Sequence, residues 1–305
     1  MTGFIIRRAF QALILIKCVL VFVFLLLHIS GDPISVMLPE DASQEDEILL
    51  RKQYGFDKPL LTQYGIFFGK VLQGSFGDSF ETGEPALGLV LSHMPATIEL
   101  AGTAFIVSII VGLPLGCLAA LRENSFLDRT CMIGAVLGQA LPGFWLGLIL
   151  ILIFAVNLRL LPSFGYGSWS HLVMPGIAAS VFHTARLARL MRSEMLEVLR
   201  SDYIITARSK GLIESLVLFR HAMKNASIPI VTVLGLDLAL TLGGTVIIET
   251  VFAWPGVGRL TVEAINTRDF PIVQAAVFVL ASVFVLINTI VDILYTYLDP
   301  RIKYE

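Results

Sequence analysis

Long uncharged apolar blocks constrain this chain more than any other feature of its sequence. The blocks at Leu100–Leu121 and Cys131–Val156 contain no Asp, Glu, Lys or Arg. A helix needs about 20 apolar residues to cross roughly 30 Å of hydrocarbon. Only 15% of the 305 residues are charged, whereas soluble domains carry about 25%. These features predict an all-α, polytopic membrane protein.

The hydropathy pattern predicts six transmembrane helices. Their approximate limits are Phe10–Ile29, Leu100–Leu121, Cys131–Val156, a fourth that begins near Leu172, Ile228–Val251 and Ile272–Leu298. The fourth is the shortest because its sequence becomes cationic after Ala185. Single charges fall inside three of the others, as Lys17, Asp237 and Asp292.

The distribution of Lys and Arg predicts the orientation of these helices. Cationic residues are concentrated before the first helix, between the second and third, between the fourth and fifth, and after the sixth. Since cytoplasmic loops carry the excess of Lys and Arg, both termini are expected in the cytoplasm. The predicted organisation is a first transmembrane helix (1–30), an external segment (31–93), a five-helix core (94–298) with a cytoplasmic loop at 200–226, and a cytoplasmic tail (299–305).

The external segment is too long to be a plain connection between two helices. Ser43–Asp46 resembles a capping box that opens a helix. Apolar residues recur at helical spacing within Leu60–Leu72, which predicts a second helix with one apolar face. We expect that face to cover the transmembrane helices or, alternatively, to lie at the membrane interface. Gly74, Gly77 and Gly83 predict the turns that follow.

Glycine pairs and prolines are expected to shape the transmembrane helices. Small residues four apart let helix backbones approach closely in lipid. Three such pairs occur: Gly112 and Gly116, Gly134 and Gly138, Gly143 and Gly147. Pro114 and Pro142 are expected to kink the second and third helices, because proline has no N–H to donate.

The sequence contains no pattern typical of an enzyme or of a nucleic-acid-binding protein. A Walker-type phosphate loop, a His-Glu-x-x-His zinc motif and a Gly-x-Ser-x-Gly elbow are all missing. Cys18, Cys117 and Cys131 are isolated, so we interpret them as apolar filler rather than metal ligands. No basic run suggests a nucleic-acid partner. We therefore expect no catalytic residue, metal or cofactor. We expect the energy for any work to come from another subunit or from a gradient.

The cytoplasmic loop at 200–226 holds the residues predicted to contact another protein. Ala207 and Gly211 are four residues apart, so on one helix they would share a face almost without side chains. Leu212, Leu216 and Phe219 would form an apolar stripe beside that face. Two alternatives stay open: an ordinary cationic loop, and a Gly211 that is required only for a positive φ.

Several motifs resemble those of ABC importer permeases, in the dipeptide, oligopeptide and nickel branch. Residues 206–211 (TARSKG) and 221–226 (HAMKNA) resemble its coupling loop, although the acidic start and final proline of the general family pattern are missing. Residues 142–147 (PGFWLG) resemble its third helix, and residues 249–259 (ETVFAWPGVGR) resemble its most specific external element. Residues 298–301 (LDPR) resemble its carboxyl end. The matches occur in order and cover nearly the whole chain.

The resemblance implies a type I ABC importer permease fold in the cytoplasmic (inner) membrane of a bacterium. It implies as partners a second permease, two cytoplasmic ATP-binding subunits, an external solute-binding protein and the lipid bilayer. The ATPases would act on the loop with Ala207 and Gly211, giving alternating access to a pathway for di- or oligopeptides. Nickel and glutathione permeases share these motifs and stay alternatives. A gradient-driven transporter is less favoured, because the sequence shows no clear internal repeat.

Asp237 is a candidate residue of the solute pathway. A carboxylate near mid-membrane costs roughly 2.5–3.5 kcal/mol on insertion scales, so it should face the pathway or a partner. Three interpretations stay open. Asp237 could form a structural pair with Lys17 or with a residue of the second permease, bind the amino terminus of a passing peptide or a metal complex, or be protonated.

Overall fold

The computed structural model describes residues 2–29 and 43–298. These residues are largely helical and form no β-strand apart from an isolated bridge between Asp78 and Pro85. The helices are α1 Thr2–Ile29, α2 Gln44–Tyr54, α3 Leu60–Leu72, α4 Ala86–Leu121, α5 Phe126–Ala140, α6 Gly143–Leu150, α7 Trp169–Leu199, α8 Asp202–Ser209, α9 Glu214–Leu216, α10 Met223–Gly244, α11 Val246–Val251, α12 Val257–Asn266 and α13 Phe270–Leu298. One π-helical segment, Ile151–Asn157, extends α6, and another, Val217–Ala222, joins α9 to α10. The predicted all-α class is confirmed.

Four helical stretches of the described residues are long and apolar enough to cross a membrane. They are Ile6–Leu25, Ala86–Leu121, Glu214–Val251 and Phe270–Ile293. The pair Phe126–Ala140 and Gly143–Asn157 adds a fifth if it is counted as one broken span. α7, the predicted fourth span, does not qualify, because polar and cationic side chains interrupt its apolar residues. The six-helix topology therefore stays a prediction.

The two prolines behave differently. At Pro142 the chain bends by 104° between α5 and the extended α6, which confirms the predicted kink. Leu141, the residue before this proline, is extended, with φ −83° and ψ 128°, as the proline ring requires. α4 continues through Pro114 without a break.

The described residues fall into two compact units, of which the first comprises residues up to Thr97 and Pro255–Ile293. α2 begins at Gln44, next to the predicted cap, and Gly74, Gly77 and Gly83 all have positive φ at the predicted turns. The core of this unit is apolar, and it contains Leu20, Phe76, Ala86, Val90, Met94, Val257, Ala264, Ile272, Ala275, Ala276 and Val279. The apolar face of α3 packs on this core through Phe67, Phe68 and Val71.

The second unit comprises Ile98–Trp254 with a short piece at the end of α13. Within it, α4 and α7 approach closely at Gly112 and Gly116. A Cβ on Gly112 would lie 2.8 Å from the carbonyl oxygen of Thr184, and one on Gly116 would overlap that of Ala188. Close packing at this glycine pair is thus confirmed.

Candidate functional site

The predicted contact loop folds into short helical pieces between α7 and α10. We call residues 202–222, which comprise α8, α9 and the second π-helical segment, the coupling segment. Its Ile204, Ala207 and Val217 are buried. They share one core with residues of both long helices: Met191, Met195, Ala226 and Ile230. The coupling segment is therefore packed against α7 and α10 rather than hanging between them.

Gly211 lies outside the helix that carries Ala207, so the predicted shared face of these residues is wrong. α8 ends at Ser209, and Gly211 has a φ of +76°. Gly211 N–H donates to the carbonyl oxygen of Arg208 at 2.9 Å, and Leu212 N–H donates to that of Ala207 at 3.4 Å. These bonds satisfy carbonyl groups at the end of α8, as a glycine in the left-handed region commonly does. Spacing of four residues implies a shared face only while the helix continues.

The predicted apolar stripe is divided among three local structures. Leu212 lies in the turn after α8, Leu216 ends α9, and Phe219 lies in the π-helical segment. Phe219 is 70% exposed, whereas Leu216 is half-buried. Ile213, which sequence analysis did not select, is 69% exposed. The exposed apolar surface is therefore arranged differently from the stripe, because it depends on where each short helix begins and ends.

An ion pair fixes the turn around Gly211. Arg208 Nη2 donates to Glu214 Oε1 at 2.6 Å, and its Nε donates to Oε2 at 3.2 Å. This hydrogen-bonded carboxylate raises the pKa of Arg208 above its ordinary value. Both side chains are exposed, so the pair adds little to overall stability. Its effect is to orient α8 and α9 relative to each other.

Asp237 pairs with a residue of α7 that sequence analysis did not connect with it. Arg186 Nη1 lies 2.6 Å from Asp237 Oδ1, and Asp237 is only 1% exposed. His183 Nδ1 lies 3.6 Å from the same oxygen. Removing one partner of a buried pair typically costs about 3–5 kcal/mol. The structure therefore favours the interpretation of Asp237 as half of a structural pair, with Arg186 rather than Lys17 as the other half.

A second unpredicted ion pair joins α5 to α7. Arg192 Nε and Nη2 lie 2.5 and 2.8 Å from the two carboxylate oxygens of Asp128. Asp128 Oδ2 also accepts the backbone N–H of Asn124 at 2.9 Å, and Asp128 N–H donates to Ser125 Oγ at 3.2 Å. The Ser-x-x-Asp spacing could have revealed the helix cap. It could not have revealed a partner 64 residues away.

Two of the sequence motifs pack against each other within the second unit. Gly147 of PGFWLG lies under the ring of Phe252, and a Cβ there would be 2.9 Å from that ring. Gly143 lies beside Ile248, whose methyl group would be 3.6 Å from an added Cβ. Trp254 is buried, with its ring centroid 4.8 Å from that of Tyr166. Gly147 in one motif therefore makes room for the ring of Phe252 in the other.

Metal ligands do not cluster in the part of the chain that the structure describes. There, no group of three or more His, Cys, Asp or Glu side chains could hold a metal ion. Cys18, Cys117 and Cys131 are free thiols.

Comparison with known proteins identifies the family. Residues 112–304 match the binding-protein-dependent transport system inner membrane component, and residues 1–101 match the N-terminal part of such components. The chain is 38% identical to the dipeptide transport system permease protein DppB of Alkalihalophilus pseudofirmus, over all of both chains. It is 41% identical to a probable peptide ABC transporter permease protein of Sinorhizobium fredii, over 99% of each. It is 37% identical to the glutathione transport system permease protein GsiC of Salmonella typhi, over all of both.

A solved structure shares the fold. The methionine ABC transporter MetNI, in inward-facing conformations, matches with a TM-score of 0.57 at 17% identity, over 69% of this chain and 96% of that one. The relatives are permease subunits rather than enzymes. This chain therefore belongs to the family of inner-membrane components of binding-protein-dependent transport systems, as a multi-pass permease subunit of a bacterial cytoplasmic membrane.

Proposed function

We propose that this permease is one of two membrane-spanning subunits of an ATP-driven importer for di- and oligopeptides. The proposed substrate class comes from the names of two relatives that match over essentially their full length, a dipeptide permease and a probable peptide permease. The chain would cross the membrane six times, with both termini and the coupling segment in the cytoplasm. Two ATP-binding subunits, a second permease and an external binding protein would complete the importer.

The packing of the coupling segment carries the proposal. Ile204, Ala207 and Val217 lie in one core with residues of α7 and α10, and close-packed interiors transmit displacement because they compress little. The outer surface of the segment exposes Ile213 and Phe219. In the proposed cytoplasmic position these two side chains would be available to contact another protein. Movement of an ATPase against this surface would therefore displace the two long helices with the segment.

Replacing Phe219 tests this role. Phe219→Ser removes an exposed ring without opening the core, so the variant should insert normally but import little solute for each ATP hydrolysed. Phe126→Ser is the matched control, since Phe126 is 86% exposed and is the first residue of α5 rather than part of the coupling segment. The measurement is uptake per ATP in proteoliposomes containing the complete importer. Equal ratios for wild type, Phe219→Ser and Phe126→Ser would exclude the coupling role.

Cysteine labelling tests the proposed topology. In a chain without its three natural cysteines, Thr82→Cys should react with an impermeant thiol reagent added outside intact cells. Lys210→Cys should react only after the membrane is opened. Labelling of both positions from the same side would remove the six-helix topology.

Glutathione is the second candidate substrate, because the glutathione permease GsiC matches this chain over its full length. Uptake of labelled dialanine, glutathione and Ni²⁺ by the complete importer separates the alternatives. We expect uptake of the peptide. Uptake of glutathione alone or of Ni²⁺ alone would replace the peptide assignment.

A further inference from the structure

A half-exposed cation is joined to a fully buried acid in the second unit. The side chain of Arg186 is 35% exposed, whereas that of Asp237 is 1% exposed, and their closest atoms are 2.6 Å apart. Thr241 Oγ1 donates to the backbone carbonyl of Asp237 at 2.6 Å and lies 3.3 Å from His183 Nε2. The carboxylate is thus enclosed by its neighbours. A solute passing this surface would meet the guanidinium of Arg186 and not the carboxylate of Asp237.

Both residues lie far along their helices from the coupling segment. At 1.5 Å per residue, Arg186 is about 20 Å from the end of α7 at Leu199, and Asp237 is about 21 Å from the start of α10 at Met223. A charged side chain in a membrane-spanning helix is costly against lipid and usually faces the interior or a water-filled cavity. The exposed part of Arg186 is therefore expected to face a polar surface.

The local charge balance is positive. Arg186 and Arg189 lie three residues apart on α7, and Asp237 pairs with the first of them only. Arg189 donates instead to the neutral side-chain oxygen of Gln139, at 2.5 Å. Of these two guanidinium groups, only that of Arg186 is paired with a carboxylate, while that of Arg189 donates to a neutral group. This surface suits a ligand that carries a further negative charge.

Arg186 also has hydrogen-bond donors to spare. A guanidinium has five N–H donors, and among the described residues Arg186 uses one of its nitrogens, Nη1, for Asp237. The planar group matches a carboxylate through two parallel hydrogen bonds, which an ammonium cannot do. Holding one edge of the guanidinium against Asp237 would fix the direction of the other edge.

We propose that Arg186 binds a carboxylate of the solute in transit, and that Asp237 is the residue that positions it. The inference rests on the proposed function and refines it, because a free peptide carries a carboxylate at its carboxyl terminus. Glutathione carries carboxylates as well, whereas a bare Ni²⁺ ion carries none. The site therefore selects for a chemical group rather than for one peptide.

The experiment compares a peptide with its amide, which differ only in the carboxylate. Uptake of trialanine, trialanine amide and glutathione is measured in proteoliposomes holding the complete importer and its binding protein. The key variant combines Arg186→Gln with Asp237→Asn, which removes both charges and so leaves no unpaired buried charge. We expect normal membrane abundance, a loss of about tenfold in the acid-to-amide uptake ratio relative to wild type, and unchanged uptake of the amide.

Two further variants keep the test decisive. Arg186→Lys retains a positive charge beside Asp237. It should keep only part of the wild-type acid-to-amide uptake ratio, since an ammonium cannot form two parallel hydrogen bonds to a carboxylate. Arg200→Gln is the control and should keep the ratio, since Arg200 follows the last residue of α7 and pairs with Glu123 rather than with Asp237. An unchanged ratio in the double variant, or equal loss of acid and amide at normal abundance, would show that the pair is only a structural link. Wild type that carries none of the three solutes would overturn the proposed function and this inference together.

Discussion

One added methyl group tests the contact between α4 and α7. In Gly112→Ala the new Cβ would lie 2.8 Å from the carbonyl oxygen of Thr184 and 3.1 Å from Leu187 Cβ. Comfortable separations for such atoms are about 3.5 Å or more, so the two helices must move apart by roughly 0.5–1 Å or lose their packing. Neither the backbone of Thr184 nor the Cβ of Leu187 can rotate away, because both are fixed by the backbone.

The expected destabilisation follows from two opposing effects. Overpacking a close interface costs about 1–3 kcal/mol. Replacing glycine by alanine within a helix contributes about 1 kcal/mol in the opposite direction. Gly102→Ala, in the same helix, isolates the second effect, because nothing lies within 4 Å of a Cβ at Gly102. The helix term is common to both variants, so their difference in stability should be about 1–3 kcal/mol.

Thermal unfolding of the detergent-purified permease measures this difference. At about 2–4 °C per kcal/mol, the conversion for chains of about 150–250 residues, Gly112→Ala should unfold roughly 2–12 °C below Gly102→Ala. Both variants are compared at equal protein and detergent concentrations. Equal midpoints, or a higher midpoint for Gly112→Ala, would show that α4 and α7 do not approach as closely as described.

Substitutions at Gly211, Asp128 and Ser79 test three separate parts of the structure. Gly211→Asn should retain ATP-coupled uptake, since asparagine tolerates a φ of +76°. Gly211→Ala should lose part of the uptake, because the left-handed region costs alanine about 1–2 kcal/mol. Equal uptake by the two variants would contradict the positive-φ turn at Gly211. Asp128→Asn should lower the free energy of unfolding by about 3 kcal/mol, at the low end for a buried pair because Arg192 is partly exposed. Adding Arg192→Gln to Asp128→Asn should recover part of the lost membrane abundance. Ser79→Ala removes a buried 2.5 Å hydrogen bond to Asp269 and should lower the unfolding midpoint by the equivalent of about 1–3 kcal/mol; an unchanged midpoint would show that the bond does not stabilise the fold.

Local sequence patterns predicted the features that depend on neighbouring residues. Long apolar blocks with few charges located four long helices, and the apolar spacing within Leu60–Leu72 located α3. Pro142 marked the bend because proline restricts its own backbone and that of Leu141. In each of these cases the physical cause lies within a few residues of its effect.

Features that depend on distant residues were not predictable in the same way. Arg186 and Asp237 are 51 positions apart, and no periodic pattern relates a position on α7 to one on α10. In the sequence, Arg186 counted only as part of the cationic end of the predicted fourth helix. Its partner, Asp237, lies inside the predicted fifth helix. The interpretation of Ala207 and Gly211 failed for a local reason, because a helical face was assumed across a residue whose positive φ ends the helix.

The two kinds of contact between α7 and α10 have a joint mechanical consequence for the proposed importer. Near their coupling-segment ends, the helices share an apolar core that includes Met195 and Ala226. About 14–17 Å further along, next to Leu187 of the same core, Arg186 and Asp237 join them again through a buried ion pair. Two helices that share a core along this length and an ion pair at its far end resist hinging and tend to tilt as one body, because both contacts would have to break for either helix to move alone. Displacement of the coupling segment by an ATPase would then reach the surface of Arg186 directly, and release of a bound carboxylate there would be linked to the same tilt.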